Sequence, residues 1–477
     1  MFDDGVPFRM ARAADPGYTT TQIMPATDFR AAGNGRIAGR DRTPAEVLVR
    51  MLLLSCLTTA LPIPFVREWG VLAIFLWLAA RNGRPFLPRD VLGVAFVTLA
   101  AWVVIGLVFM GLRIEPSWML YEEVPCALQV LVVMCLVPRV VAVDLDDAMS
   151  RLAGVLLVGA LFLSVLALLL YFAHQVLGPA MDRVFALAGS NRVAEARAAL
   201  RSDYNAFAVG VTALAGSGAI LAARGGRILA VAVLMLALAV DLVSDSRRVL
   251  LLILIAVPLI AVAWFGFWRS VLVLGSTILS GVLVRVLPIN LQWREALSPR
   301  TAAFLETTLS SVDGLGDVIM RDGMWTWGLS KTGSASPIEW SLGFGFEHML
   351  EIGSVFTDPR EPNQTYGYMH NVFLGTMLTF GAIGLACLLM VVLGAAGKIW
   401  RLRSRSCGQV LALLLASGLV MGFWSGNTVF SIPLLAVSLA VALKARTMPA
   451  VGTRASVSRD SSRLRANGRV TIRGKSR

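Results

Sequence analysis

Apolar runs, most of them close to 20 residues long, follow one another from residue 46 to residue 443. Few folds admit this pattern. A helix of about 20 apolar residues crosses the hydrocarbon of a bilayer, because it satisfies its own backbone polar groups there. A closed β-barrel would instead alternate apolar and polar residues over about ten positions. The runs lie at 46–65, 68–80, 90–112, 117–137, 152–173, 204–222, 227–243, 248–265, 268–287, 370–396, 408–424 and 428–443. Pro62 and Pro64 turn the first two into a bent hairpin. Composition agrees: hydrophobic residues make up 56% of the 477 and charged residues 15%, against about 25% charged in a soluble domain. The expected fold is all-α, a polytopic transmembrane helical bundle of about twelve spans.

The net charge of +13 suggests nucleic acid until it is located. Residues 444–477 carry ten basic side chains against the single acid Asp460, so this tail holds nine of the thirteen charges. Basic residues beside spans mark the cytoplasmic side, and no nucleic-acid partner is expected. With a cytoplasmic N-terminus, the even-numbered connections are cytoplasmic as well. They hold Arg81, Arg84 and Arg89, then Arg139 and Arg151, Arg224 and Arg227, Arg269, and Lys398, Arg401, Arg403 and Arg405. The longest odd-numbered connection, 288–369, holds five basic and ten acidic residues. The asymmetry predicts N-in, C-in topology and places that connection outside. The organisation is then a disordered cytoplasmic N-tail over 1–45, helices 1–9 over 46–287, a large and mostly helical external loop over 288–369, helices 10–12 over 370–443, and a basic disordered tail over 444–477. The first apolar run begins too late for a secretory signal peptide. Long loops in compact proteins are usually functional, so the chemistry is sought in 288–369 and in the polar segment 174–203 on the same side.

None of Cys56, Cys126, Cys135, Cys387 and Cys407 has metal-ligand spacing or a partner in a polar loop, so neither a metal site nor a disulfide framework is expected. His370, in Tyr368-Met369-His370-Asn371, stands where the large loop re-enters the membrane. It reads as a general base of near-neutral pKa or as a polar anchor at a helix start. His174 reads as interfacial, and His348 as structural or solvated. Arg247 and Arg248 head an apolar helix on the side where cations are disfavoured, and arginine binds phosphate through two parallel bonds. The alternative is a salt bridge to Asp241 or Asp245. Arg321 lies in Met320-Arg321-Asp322-Gly323-Met324-Trp325-Thr326-Trp327, where a helix would put Trp325 on its face. Trp325 could stack on a sugar or lie at the membrane interface. Arg201-Ser202-Asp203-Tyr204-Asn205 opens the sixth span. Asp203 reads as a helix cap or, with Asn205, as a polar group at a site. Glu122 and Glu123 inside the fourth span could relay protons or pair with an arginine.

Several of these patterns occur together in one known family. They are Ser246-Arg247 at the head of an apolar span, and Asp203-Tyr-Asn205-Ala-Phe-Ala208 opening another. The loop adds Arg321 and Trp325 followed by Gly343-Phe-Gly345, and His370-Asn371 leads into Gly381-Ala-Ile-Gly384. In this order, over roughly 90–443, the chain resembles the O-antigen ligase and polysaccharide polymerase superfamily of bacterial inner membranes. Arg248 stands where that family usually has a small residue, and the long N-tail and basic C-tail are atypical of it.

The resemblance implies a metal-independent glycosyltransferase without a cofactor, active on the periplasmic face. Its donor is a glycan on undecaprenyl diphosphate, and its acceptor a lipid A-core sugar or another lipid-linked glycan. His370, Arg321 and Arg247 are the expected catalytic residues. Arg248, Asn371, Asn205, Asp203, Arg201 and Trp325 are the expected substrate contacts. A twelve-span transporter of an anionic or lipid-linked substrate is the competing reading, although the one lopsided loop is unlike the paired halves of many transporters.

Overall fold

The computed structural model describes residues 43–60, 66–80, 87–113, 118–166, 168–169, 192–222, 226–244, 247–266, 269–270, 324–355, 369, 371–424 and 426–446. The tails 1–42 and 447–477, the polar segment 174–191 with His174, the ninth span beyond Ser270 and the loop stretches 288–323 and 356–368 lie outside them.

The described chain is mostly helical. In order it forms α1 (Pro44–Ala60), α2 (Val66–Ala80), α3 (Val91–Arg113), α4 (Trp118–Leu136) and α5 (Ala142–Arg151), then α6 (Ala153–Leu166). There follow α7 (Arg192–Leu221), α8 (Arg227–Ser244), α9 (Arg247–Phe265), α10 (Met324–Gly333), α11 (Pro337–Leu342), α12 (His348–Val355), α13 (Val372–Arg401), α14 (Ser406–Trp424) and α15 (Pro433–Lys444). Among the described residues, three helical stretches are long and apolar enough to cross a membrane: 91–108, 372–401 and 406–423. The pair α5 and α6, bent by 48° at Leu152, makes a fourth if it is one span, and six further apolar helices are shorter. The described part of the large loop is helical, as expected.

Several boundaries depart from the sequence reading. The connection before the fifth span is itself a helix, α5, because Ala142, Leu145, Ala148 and Met149 fall on one buried face while Asp144 and Asp147 fall elsewhere. Helix α7 begins at Arg192, well before the expected start at 204. Its first turns, RVAEARAALRS, are helix formers without a breaker. Asp203 therefore lies inside a helix and does not cap one. The last run splits into a 3-10 turn, Val429–Ser431, and α15, because Pro433 fits the first turn of a helix and not its interior.

The basic connections gather at one end. Arg151 pairs with Glu46 at 3.3 Å, and the Cys407 N–H donates to Asp146 Oδ1 at 2.7 Å. Lys398 Nζ donates to the Leu443 carbonyl at 2.6 Å. Lys444 Nζ donates to the Met134 and Val137 carbonyls, each at 2.6 Å. Arg139 pairs with Asp90, and Val140–Val141 pairs in parallel with Ala445–Arg446. Helices α7 and α9 also end here. Trp264 Nε1 donates to the Ala219 carbonyl at 2.8 Å, Arg227 lies over the Trp264 ring, and Gly218 packs on Leu157 near the start of α6. The starts of α7 and α9 accordingly lie toward the opposite end. The start of α13 does too, since Gly422 near the end of α14 touches Val372.

Candidate functional site

The opposite end is built around a break in α13. Gly381 takes φ 65°, ψ −167°, a conformation open to glycine alone among the common residues. The break frees the Leu378 carbonyl from its helical partner, and the Phe344 N–H fills the place at 2.7 Å. Phe344 lies between Gly343 and Gly345, both at positive φ (83° and 69°). A Cβ on Gly343 would come within 2.5 Å of the Thr379 carbonyl, so the turn fits the break only with no side chain at Gly343. Phe346 follows, buried over Gly106 of α3 and edge-on to Phe380. The expected tight turn of the loop and the glycine-bearing helix after His370-Asn371 are thus one interlocked unit.

Asn371 caps α13. Its Oδ1 accepts from the Phe373 and Leu374 N–H groups at 3.0 and 3.1 Å, which leaves the Nδ2 amide to offer to another group. Met369 is fully buried in a small cluster with Ile352 and Leu378, against Met324, Trp325, Trp327, Phe344 and Leu374. Gly328 of α10 sits so close to Met369 that a Cβ would lie 2.7 Å from its Cε. Trp325 stands edge-on to Phe423 with centroids 6.2 Å apart, and Phe423 meets Phe373 in the same way at 6.0 Å. The buried Trp325 indole nitrogen has no hydrogen-bond partner among the described residues.

His370 and Arg321 lie outside the described residues. Their chain neighbours Met369 and Met324 share the cluster just described. For Arg201, Asp203, Asn205, Arg247 and Arg248 the backbone alone is described. Arg247 and Arg248 are the first residues of α9, as the sequence suggests. Helix α14 packs against α7, α9 and α13, so it is the common neighbour of the three segments that carry these residues.

The sequence reading passed over the most connected polar groups of this end. His348, read as structural or solvated, is fully buried. Its Nδ1 lies 2.6 Å from the Gly345 carbonyl and its Nε2 3.3 Å from Asn427 Oδ1. A carbonyl only accepts, so Nδ1 carries the proton. A neutral ring then accepts at Nε2 and needs the Asn427 carboxamide turned to present its NH2. Asn427 also reaches Thr379 Oγ1 at 3.3 Å. Its neighbour Thr428 donates to Glu123 Oε2 at 2.8 Å. Burial holds the imidazole below its usual pKa, with the Gly345 and Asn427 contacts opposing. The signal was Ser425-Gly426-Asn427, the short stretch between two apolar runs, with Thr428 opening the second.

Among the described residues no group of three or more His, Cys, Asp or Glu could hold a metal ion. No protein-family model matches the chain, and no curated protein matches it.

Proposed function

We propose that this chain is a twelve-span, N-in/C-in protein of the bacterial inner membrane. In this reading it transfers a glycan from undecaprenyl diphosphate to an acceptor sugar hydroxyl on the periplasmic face, as an O-antigen ligase or polysaccharide polymerase. One observation carries it above the others: at the end away from the basic connections, the Met324–Gly333 helix that follows Arg321 is packed onto Met369, the residue before His370. The reading needs those two segments together, and nothing in a hydropathy pattern requires it.

The chemistry assigns each residue a task. The acceptor hydroxyl loses its proton to the His370 imidazole as its oxygen bonds to the anomeric carbon, while the bond from that carbon to the diphosphate breaks. Undecaprenyl diphosphate leaves with its charge stabilised by Arg247 and Arg321, with Arg248 and Arg201 as further cations. Asn371, Asn205, Asp203 and Trp325 line the sugars. The isoprenoid tail accounts for a site at the mouth of spans.

A transporter is favoured by one feature, the broken helix α13, since broken helices line transporter sites. Here the freed Leu378 carbonyl is already taken by Phe344, which leaves the break little to offer an ion.

The test is transfer by the purified protein in liposomes with an undecaprenyl-diphosphate-linked glycan and an acceptor. His370→Ala is expected to abolish transfer with the protein inserted at normal levels, and Arg247→Lys to impair it less than Arg247→Ala. A charge stabiliser of this kind contributes about 2–4 kcal/mol. Undiminished transfer by His370→Ala rejects the mechanism. Labelling of 289–369 from the cytoplasm rejects the topology. A deletion strain separates the two enzymes: single repeats on the acceptor indicate a polymerase, accumulated long lipid-linked chains a ligase.

A further inference from the structure

The polar contacts around the break in α13 close into a ring. The half-helix 372–380 is held on one side by the loop, through Phe344 N–H to the Leu378 carbonyl. On the other side it meets the connection between α14 and α15: Asn427 reaches Thr379 Oγ1, and Gly375 packs on Asn427 so closely that a Cβ would lie 2.7 Å from its Oδ1. His348 joins the two sides, with one ring nitrogen on the Gly345 carbonyl of the loop turn and the other on Asn427. Thr379 Oγ1 carries one proton, which either Asn427 Oδ1 of the turned carboxamide or the Gly375 carbonyl 2.7 Å away can accept. Every member is uncharged in this state, and His348, Asn427 and Thr379 are all buried.

Such a ring does more than fill space. A glycine at positive φ lets the two parts of α13 take different directions, and without lateral bonds the 372–380 part is free to swing about Gly381. Apolar packing alone is non-directional. Hydrogen bonds fix register and angle.

We propose that His348 and Asn427 are positioning residues, which clasp the half-helix 372–380 between the loop turn and the α14–α15 connection and so set where the Asn371 end of α13 stands. The catalytic consequence rests on the glycosyl-transfer reading, in which His370 immediately precedes that end. The clasp itself does not. It is also sensitive to acid. Charging His348 forces a cation into a buried site where Asn427 and Thr379 are neutral. The charged groups facing it, Lys331 of α10 and Glu351 of α12, are paired with each other.

Hydrogen–deuterium exchange on the full-length protein in lipid nanodiscs tests the clasp without turnover. In Asn427→Ala, amides of 372–380 are expected to exchange about tenfold faster, the size of one lost buried hydrogen bond, with 382–401 unchanged. Thr379→Val removes the hydroxyl, and with it the contacts to Asn427 and to the Gly375 carbonyl, at nearly constant volume and answers the question if Asn427→Ala fails to fold. In the wild type, protection of 372–380 is expected to fall below about pH 6.5, where the unfolded imidazole takes up a proton that the buried one resists. His348→Gln should remove that pH dependence while keeping most of the protection at neutral pH. Unchanged exchange in every folded variant overturns the proposal, as does acid sensitivity that persists in His348→Gln. Faster exchange with no transfer by the wild type would leave the clasp standing and sink the transferase reading instead.

Discussion

The two ends of the bundle solve the same problem with opposite chemistry. At the basic end, carbonyls at or just past helix ends are met by ammonium groups: Lys444 serves Met134 and Val137, and Lys398 serves Leu443. Long side chains reach a polar end from an apolar helix, and their charge suits the negative pole of the helix dipole. At the other end the freed groups are met by backbone N–H groups, carboxamides and hydroxyls, with Gly343 and Gly381, both at positive φ, bringing two backbones close. A lysine cap tolerates small shifts because its stem bends. A backbone-to-backbone fit through glycines does not. The first end is built to be anchored and the second to be shaped, which is where a recognition site is expected.

That contrast predicts the largest effect at the glycine fit. Gly381→Ala places a methyl against the Ser341 carbonyl and the Gly343 nitrogen, at a φ that costs about 1–3 kcal/mol for a residue with Cβ. Overpacking against backbone adds about 1–3 kcal/mol more. Thermal unfolding in detergent should register the sum, with Gly343→Ala giving a similar loss from the facing side. Gly397→Ala, where a Cβ meets open space, is the control on the same helix. Equal stability of Gly381→Ala and Gly397→Ala would remove the distinction between the ends.

A smaller loss is expected at the anchored end. Lys444→Met keeps the reach of the side chain and strands two carbonyls. Bonds to a charged donor contribute about 1.5–3 kcal/mol each, offset by no longer holding an ammonium away from water. A net loss of about 2 kcal/mol is expected from those two magnitudes. Lys444→Arg should recover part of it, because a long cation still reaches both oxygens. A stabilised Lys444→Met would mean that the ammonium is a burden at that depth, and the anchoring account would fail.

Much of the helical layout was legible in the sequence, and for a physical reason. Hydropathy summed over a run reports which residues are removed from water, so α3, α4, α9 and α14 begin and end within about two residues of their apolar runs, the ordinary scatter of helix ends. What hydropathy cannot report is backbone direction. Gly381 reads as one more small residue in a long apolar run, and its break depends on Gly343, which the sequence holds far upstream. The start of α7 was missed because polar helix formers extend a span without adding apolarity. The sequence does not bring His348 to Asn427, since the whole of α13 and α14 lies between them in the chain. The count of twelve spans goes beyond what the described helices carry, three or four of which meet the length and apolarity of a crossing.

The smallest effect separates two roles for Asn371. As the cap of α13 it accepts two backbone N–H bonds through Oδ1, and replacing such a cap by alanine costs about 1 kcal/mol. As a substrate contact it would act through Nδ2, the side that the cap leaves over. Asn371→Asp keeps the oxygen acceptor and discards the donor. The cap role alone predicts that Asn371→Ala lowers thermal stability by about that 1 kcal/mol while Asn371→Asp is neutral or slightly stabilising, because a negative charge suits a helix N-terminus. On the proposed glycosyl-transfer reading, both variants should then keep the wild-type KM for the lipid-linked donor. If Asn371→Asp is as stable as the wild type and yet binds the donor less well, Nδ2 meets the substrate. A carboxylate beside a diphosphate would add repulsion to the lost bond, so Asn371→Ser, which caps without charge, must show the same weakened binding before the contact is assigned to the amide.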